Sequence, residues 1–227
     1  MGIKYYGSVV QGSDEWLDLR RGLITASEMS LLLTPTLKVA ANDKSRQHVY
    51  ELLAQRISGY TEPHYVSNDM LRGQEEEVLA RALYSEKYSP VRDGGFVTND
   101  QWGFTLGYSP DGLVGDDGLI ECKSRRQKYQ IQTITEHVPA GTIPEEYVLQ
   151  AQTGLLVTGR KWLDFVSYCG GLPMVVIRVF PDPAIQEAII KAAGNAEDQI
   201  EEKLEAYHKA SANLYPTERR VEQEMVI

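Results

Sequence analysis

Ser109-Pro110-Asp111-Gly112, followed after eight residues by Glu121-Cys122-Lys123, is the stretch on which the reading of this chain turns. Pro110-Asp111-Gly112 sets a carboxylate at a turn. A hairpin then returns the chain so that Glu121, on an extended segment, lies beside Asp111. On a strand Glu121 and Lys123 point to one face and Cys122 to the other, so an acid and an ammonium share a site while an apolar residue anchors the strand. Two carboxylates and a backbone carbonyl suit a hard cation such as Mg²⁺, and a neighbouring lysine can orient or deprotonate an attacking water. A Pro-Asp-Gly turn is also commonplace, and Glu-x-Lys on a strand also serves as a solvated charge pair. The rest of the chain has to decide.

Upstream, the pattern is helical. Ser13 reads as an N-cap before Asp14, Glu15 and an apolar face of Trp16, Leu17 and Leu19, ending near Gly22. A second short helix is expected from about Thr25, and a third capped by Asn42 or Asp43 and stopped by Gly59. A fourth runs from about Asp69 to Glu86. Beyond Pro90 the texture becomes extended: Gly95 to Thr98, Gly103 to Tyr108 and Leu119 to Lys123, with Asp116-Asp117-Gly118 as a turn between the last two. A helix from about Pro144 to Thr158 follows, then strands at Trp162 to Cys169 and Met174 to Phe180. The stretch from Pro183 to about Leu214 is a long amphipathic helix with an acidic outer side, and 216–227 reads as a frayed tail. Helices, mixed strands, helix, strands, helix is the order of an α/β (α+β) fold.

Composition narrows the class. With 42% hydrophobic and 24% charged residues over 227 positions, the chain can bury a full core. No apolar run reaches bilayer length and the N-terminus has no signal-peptide pattern, so no membrane association and a cytoplasmic location are expected. Cys122 and Cys169 form no CxxC pair, and His48, His64, His137 and His208 have no metal spacing. A net charge of −9 excludes indiscriminate coating of DNA but not a locally basic channel.

Four ordered segments then carry a resemblance. The turn at Pro110-Asp111 with Glu121-Cys122-Lys123 resembles the PD-(D/E)xK nuclease signature. Trp16 through Glu28 is similar to the opening motif of the phage lambda exonuclease, or YqaJ-like viral recombinase, family. Arg72-Gly73, Glu77, Ala80-Arg81 and Tyr84 resemble its second motif, and Gln150-Ala151-Gln152 its last. The resemblance implies a restriction-endonuclease-like core, a central mixed β-sheet flanked by helices, in one nuclease domain over 1–227. Its parts would be a helical portion 1–90, a catalytic sheet core 91–180 and a C-terminal helix 183–214.

The resemblance also implies roles. Asp111, Glu121 and the Cys122 carbonyl would hold one Mg²⁺, with Glu77 and Asp111 holding a second and Mn²⁺ as a substitute. Lys123 would position or activate the water, and Gln150 would help order it. Arg20, Ser27 and Ser109 match the positions that grip the 5′-phosphate, and forked guanidinium and hydroxyl donors suit that task. Trp16, Met70 and Gln152 complete the expected DNA contacts. Helical periodicity does not separate Glu75, Glu76 and Glu77, so Glu77 rests on the Gly73-to-Glu77 spacing alone. Where the family carries a further basic contact before its second motif, this chain has Asn68. The implied activity is 5′→3′ digestion of one strand of duplex DNA from 5′-phosphorylated ends, giving 5′-mononucleotides and a 3′ overhang for recombination. Implied assemblies are a homotrimer and a complex with a single-strand annealing protein. Alternatives are a structure-specific or single-strand nuclease of the same superfamily, or a non-catalytic DNA-end-binding protein.

Overall fold

The computed structural model describes residues 2–63 and 68–219, with side chains from 71 onward in the second stretch. His64, the side chain of Met70 and most of the expected tail lie outside the described residues.

The strands divide over two mixed sheets. One has the order β1 (Ile3–Tyr6), β4 (Phe96–Asn99), β5 (Leu106–Tyr108), β2 (Ile24–Thr25). The other runs β3 (Val91–Arg92), β6 (Gly112–Val114), β7 (Gly118–Ser124), β8 (Trp162–Tyr168), β9 (Val175–Val179). The expected pairing of the 103–108 and 119–123 strands does not form. β5 belongs to the first sheet, and the hairpin partner of β7 is β6, in register Gly112↔Ile120 and Val114↔Gly118. The turn therefore falls at 115–117, where Gly115 takes a positive φ of 52° that a side chain would resist. Ser109, Pro110 and Asp111 are the whole link from β5 of the first sheet to β6 of the second, so Asp111 stands at a junction of the two.

Helices cover these sheets. Ser13 caps α1 (Asp14–Arg20) through the Trp16 amide at 3.3 Å. The helix expected from Thr25 begins instead as β2 and a 3₁₀ turn over Ala26–Glu28 before α2 (Met29–Leu32), because Ile24 and Thr25 pair in parallel with β5. Asn42 caps α3 (Asp43–Ser58), which Gly59 closes in the left-handed conformation. Next comes α4 (Asn68–Lys87). A segment not anticipated follows β7: α5 (Gln127–Gln132), a π turn and α6 (Val138–Ala140). Then α7 (Glu145–Thr158) leads back to β8, which lies parallel to β7, and α8 (Pro183–Ser211) closes the chain.

Alternation along β7 decides what faces what. Leu119 joins the larger core with Phe165, Leu149 and Leu155, so Glu121 and Lys123 face α7. Ile120 and Cys122 join a smaller cluster with Ala80 and Tyr84 of α4 on the opposite face. There the Tyr84 hydroxyl donates to buried Asp164 at 2.6 Å, and Arg178 grips the same carboxylate at 2.8 and 2.9 Å. That buried charge is paired and hydrogen-bonded, which offsets its desolvation. The larger cluster draws on Ile24, Leu106 and Ile200 alike, from all three expected stretches of the chain. No helix among the described residues is long and apolar enough to cross a membrane.

Candidate active site

The acids meet where the two sheets meet. Glu121 is 2% exposed and accepts three donors: the Tyr108 hydroxyl on Oε2 at 2.6 Å, and Lys123 Nζ at 2.7 Å and Gln150 Nε2 at 2.5 Å on Oε1. Asp111 Oδ2 accepts the Cys122 amide at 2.6 Å, which locks the turn to the strand eleven residues away. Burial pushes the Asp111 carboxyl well above the usual carboxylate range, and Glu121 and Glu77 add to it against the pull of Lys123. Burial likewise raises Glu77, helped by Glu121 and opposed by Arg81 and Lys123. Burial works against the Lys123 ammonium, yet Glu121 and Asp111 outweigh it and hold its pKa up.

Of the three consecutive acids of α4, Glu77 is the one that lines the cleft. Glu76 instead accepts from Ser124 Oγ at the end of β7, and Arg72 Nε reaches the same hydroxyl at 3.2 Å. This tether fixes the helix that carries Glu77.

Beside the acids lies an anion-ready cluster. Trp16 Nε1 donates to Ser109 Oγ at 2.6 Å, and the Arg20 guanidinium sits 4.4 Å over the Trp16 ring. Thr25 Oγ1 lies 3.3 Å from both Arg20 and Ser27, and Glu28 is 4.0 Å from Arg20. Burial lowers the Arg20 pKa and Glu28 only partly opposes it, so a further anion would stabilise this guanidinium.

A cleft of about 270 Å³ gathers Trp16, Arg20, Ser27, Glu77, Ser109, Asp111, Glu121, Cys122, Lys123 and Gln150. Of the other expected residues, one lies outside what the structure describes and one stands apart from the cleft. The side chain of Met70 is outside the described residues, and Gln152 is turned away. Its amide is 3% exposed and spent on the Phe180 carbonyl at 2.8 Å and the Asp182 amide at 2.9 Å, where it joins β9 to α8. Gln150 and Gln152 lie two residues apart on α7, a spacing that turns them to different sides of the helix. Sequence reasoning missed Tyr108 and Gln11, both of which line the cleft. The signal for Tyr108 was its place directly before Ser109.

The donor set suits a divalent cation. Asp111, Glu77, Glu121 and the Cys122 carbonyl offer hard oxygens, and burial together with the neighbouring acids raises the Asp111 and Glu77 carboxyls, a penalty on their charged forms that a bound cation would relieve. Among the described residues no three His, Cys, Asp or Glu side chains form a ready cage. Mg²⁺ needs none, because it binds through one or two carboxylates with waters and substrate phosphate oxygens.

This cleft on a mixed α/β fold defines the class: the chain belongs to the YqaJ-like viral recombinase domain family, whose model matches residues 15–161. Among solved structures it is similar to LHK-Exo, an alkaline exonuclease from Laribacter hongkongensis, at 32% identity and a TM-score of 0.77 over 89% of this chain and 100% of that one. The complex of LHK-Exo with dAMP matches equally, at 33% identity with the same coverage and TM-score. A phage-related exonuclease from Haemophilus somnus 129PT shares the fold at 12% identity and a TM-score of 0.54, over 82% of this chain and 98% of that one. None of the curated proteins matches in sequence.

Proposed function

We propose that the protein is a Mg²⁺-dependent 5′→3′ exonuclease that degrades one strand of linear duplex DNA to 5′-mononucleotides and leaves a 3′ overhang for recombination. The observation that carries this is the joining, in one cleft, of an acid and lysine cluster to a separate anion-binding cluster of Arg20, Ser27 and Ser109. An enzyme that cuts at any phosphodiester needs only the first. One that counts from a 5′-phosphorylated end needs both. The exonuclease activity of LHK-Exo supports the reading, and its complex with dAMP shows that the relative takes a deoxynucleoside monophosphate.

Glu77, Asp111, Glu121 and the Cys122 carbonyl would hold the metal. Bound Mg²⁺ would polarise the scissile phosphate and acidify water. The chain's own groups do the rest. Ser109, held by Trp16, keeps its hydroxyl hydrogen for a phosphate oxygen, and Arg20 supplies a bidentate fork. Lys123, paired with Glu121, acts as a fixed donor that orients the attacking water, and Gln150 holds the same carboxylate in place. Water adds to phosphorus, the bond to O3′ of the terminal nucleotide breaks, and O3′ takes up a proton. Family membership extends the proposal to a homotrimer, a single-strand annealing partner and a cytoplasmic setting.

The test is digestion of linear duplex DNA with and without a 5′-phosphate, in Mg²⁺ or EDTA, comparing wild type with Asp111→Ala. Metal-dependent loss of one strand from its 5′ end, slowed without the phosphate and abolished by the substitution, is expected. Binding without cleavage would make the protein an end-binding module, and cleavage indifferent to ends would make it an endonuclease.

A further inference from the structure

The acid cluster has a second side. A groove of about 560 Å³ runs from it between the 9–12 loop, α4 and the 93–95 loop, and it shares Gln11, Trp16, Glu77 and Asp111 with the smaller cleft. The two cavities are thus lobes of one site, and the metal-binding acids Glu77 and Asp111 lie on their common wall. The lobes differ in chemistry. Arg20, Ser27, Ser109 and Lys123 belong only to the first. The second is edged by Val10, 70% exposed, and Val78, 67% exposed, with Gln74 and Arg81 on the same helix. Arg81 is bound to Asp93 at 2.5 Å, but Asp93 is 81% exposed, so the pair is weak and Arg81 can turn to another anion.

A phosphodiester bound at the common wall would have one nucleoside in each lobe. On the exonuclease reading, on which this inference rests, the terminal nucleotide occupies the first lobe with its phosphate at Arg20. We infer that the second lobe is the subsite for the nucleotide on the 3′ side of the scissile bond, the one that keeps the new 5′-phosphate. Val10 and Val78 are apolar walls for its deoxyribose and base, and Arg81 meets the phosphate that follows. Methyl groups read no base edge, so the subsite accepts any base. The groove is roomy enough for a nucleotide and open along α4, which lets the strand continue.

The two lobes make the inference separable from the reading beneath it. The probes are dAMP, which fills the first lobe alone, and a fluorescent 5′-phosphorylated duplex, which needs both; binding is measured by calorimetry and anisotropy in Ca²⁺ in place of Mg²⁺. Val10→Asp and Val78→Asp each place a like charge beside the strand and are expected to weaken duplex binding roughly tenfold while leaving dAMP affinity within about twofold. Arg20→Ala is expected to weaken both probes. Val78→Ile, at the same exposed position, should bind as wild type, which separates the effect of charge from any loss of fold. Unchanged duplex binding in both aspartate variants, or equal loss of dAMP and duplex, would overturn the subsite while the exonuclease reading stands. A wild-type protein that binds neither probe would overturn the reading and the subsite together.

Discussion

Glu121 is buried against three donors, whereas Asp111 and Glu77 face one another's charge with less support, and this inequality governs what substitutions do. Asp111→Asn should abolish cleavage. The same change should preserve or raise the melting temperature of the metal-free protein at pH 8, because a buried, repelled carboxylate is removed. A melting temperature that falls with it would show that the Cys122 hydrogen bond outweighs the repulsion. Tyr108→Phe deletes a hydrogen bond to a buried carboxylate and should cost about 1.5–3 kcal/mol in urea unfolding, together with weaker Mg²⁺ binding by calorimetry. At this scale the sequence was legible where chemistry and spacing coincided. Asp111, Glu121 and Lys123 stood out because a turn and an alternating strand are local, and Cys122 turned to the core as alternation requires. Tyr108 did not, since an aromatic on a strand reads as core and its hydroxyl partner depends on how two sheets abut. For Gln152 the sequence did not reveal that its polar end is used inside the fold, on Phe180 and Asp182.

Among the elements, α7 closes one side of the cleft. It packs on β4, β5 and β8 and brings Gln150 to Glu121. One turn further on, Gly154 lets Tyr108 pass: a Cβ there would lie 2.7 Å from Tyr108 Cζ. Gly154→Ala should therefore destabilise by roughly 1–3 kcal/mol, as overpacking does, and lower kcat more than it raises KM because two of the three donors to Glu121, Tyr108 and Gln150, shift. Normal stability and kinetics in that variant would show that the helix moves freely over the ring. Helices with caps, such as α3 between Asn42 and Gly59, were legible to within a residue or two. β1 was not: Ile3 and Tyr5 are exposed, so no buried alternation announces it, and its partner β4 lies some ninety residues on. The α5–α6 stretch was hidden by polar and β-branched residues. It is held by Gln130, whose amide bonds the Ser167 and Pro173 carbonyls at 3.1 and 2.7 Å, a context no local pattern contains.

For the molecule as a whole, the raised Asp111 and Glu77 carboxyls set a pH dependence. A carboxyl whose folded pKa exceeds its unfolded value binds more protons when folded, so stability falls as pH rises from the ordinary carboxylate value through the raised one. Metal-free protein should accordingly lose melting temperature from about pH 4 upward through that window, and Mg²⁺ should restore more of it at pH 8 than at pH 5. Equal stabilisation at both pH values in a thermal-shift series would mean the cation does not relieve these acids. The order of elements made an α/β fold legible, while the division into two sheets was not, because it depends on the chain changing sheets within three residues, at 93–95 and again at 109–111. The parallel neighbours β7 and β8 have a last consequence. Everything between them, from Arg125 to Lys161, is one crossover, so Glu121 and Gln150, 29 residues apart, meet at 2.5 Å as part of a closure that also pairs Glu121 with Phe165 across the strands. Non-local closure is slow beside helix formation. Refolding protein should therefore regain its far-ultraviolet signal before it regains the capacity to bind dAMP, and the cleft itself becomes a clock for the final step of folding.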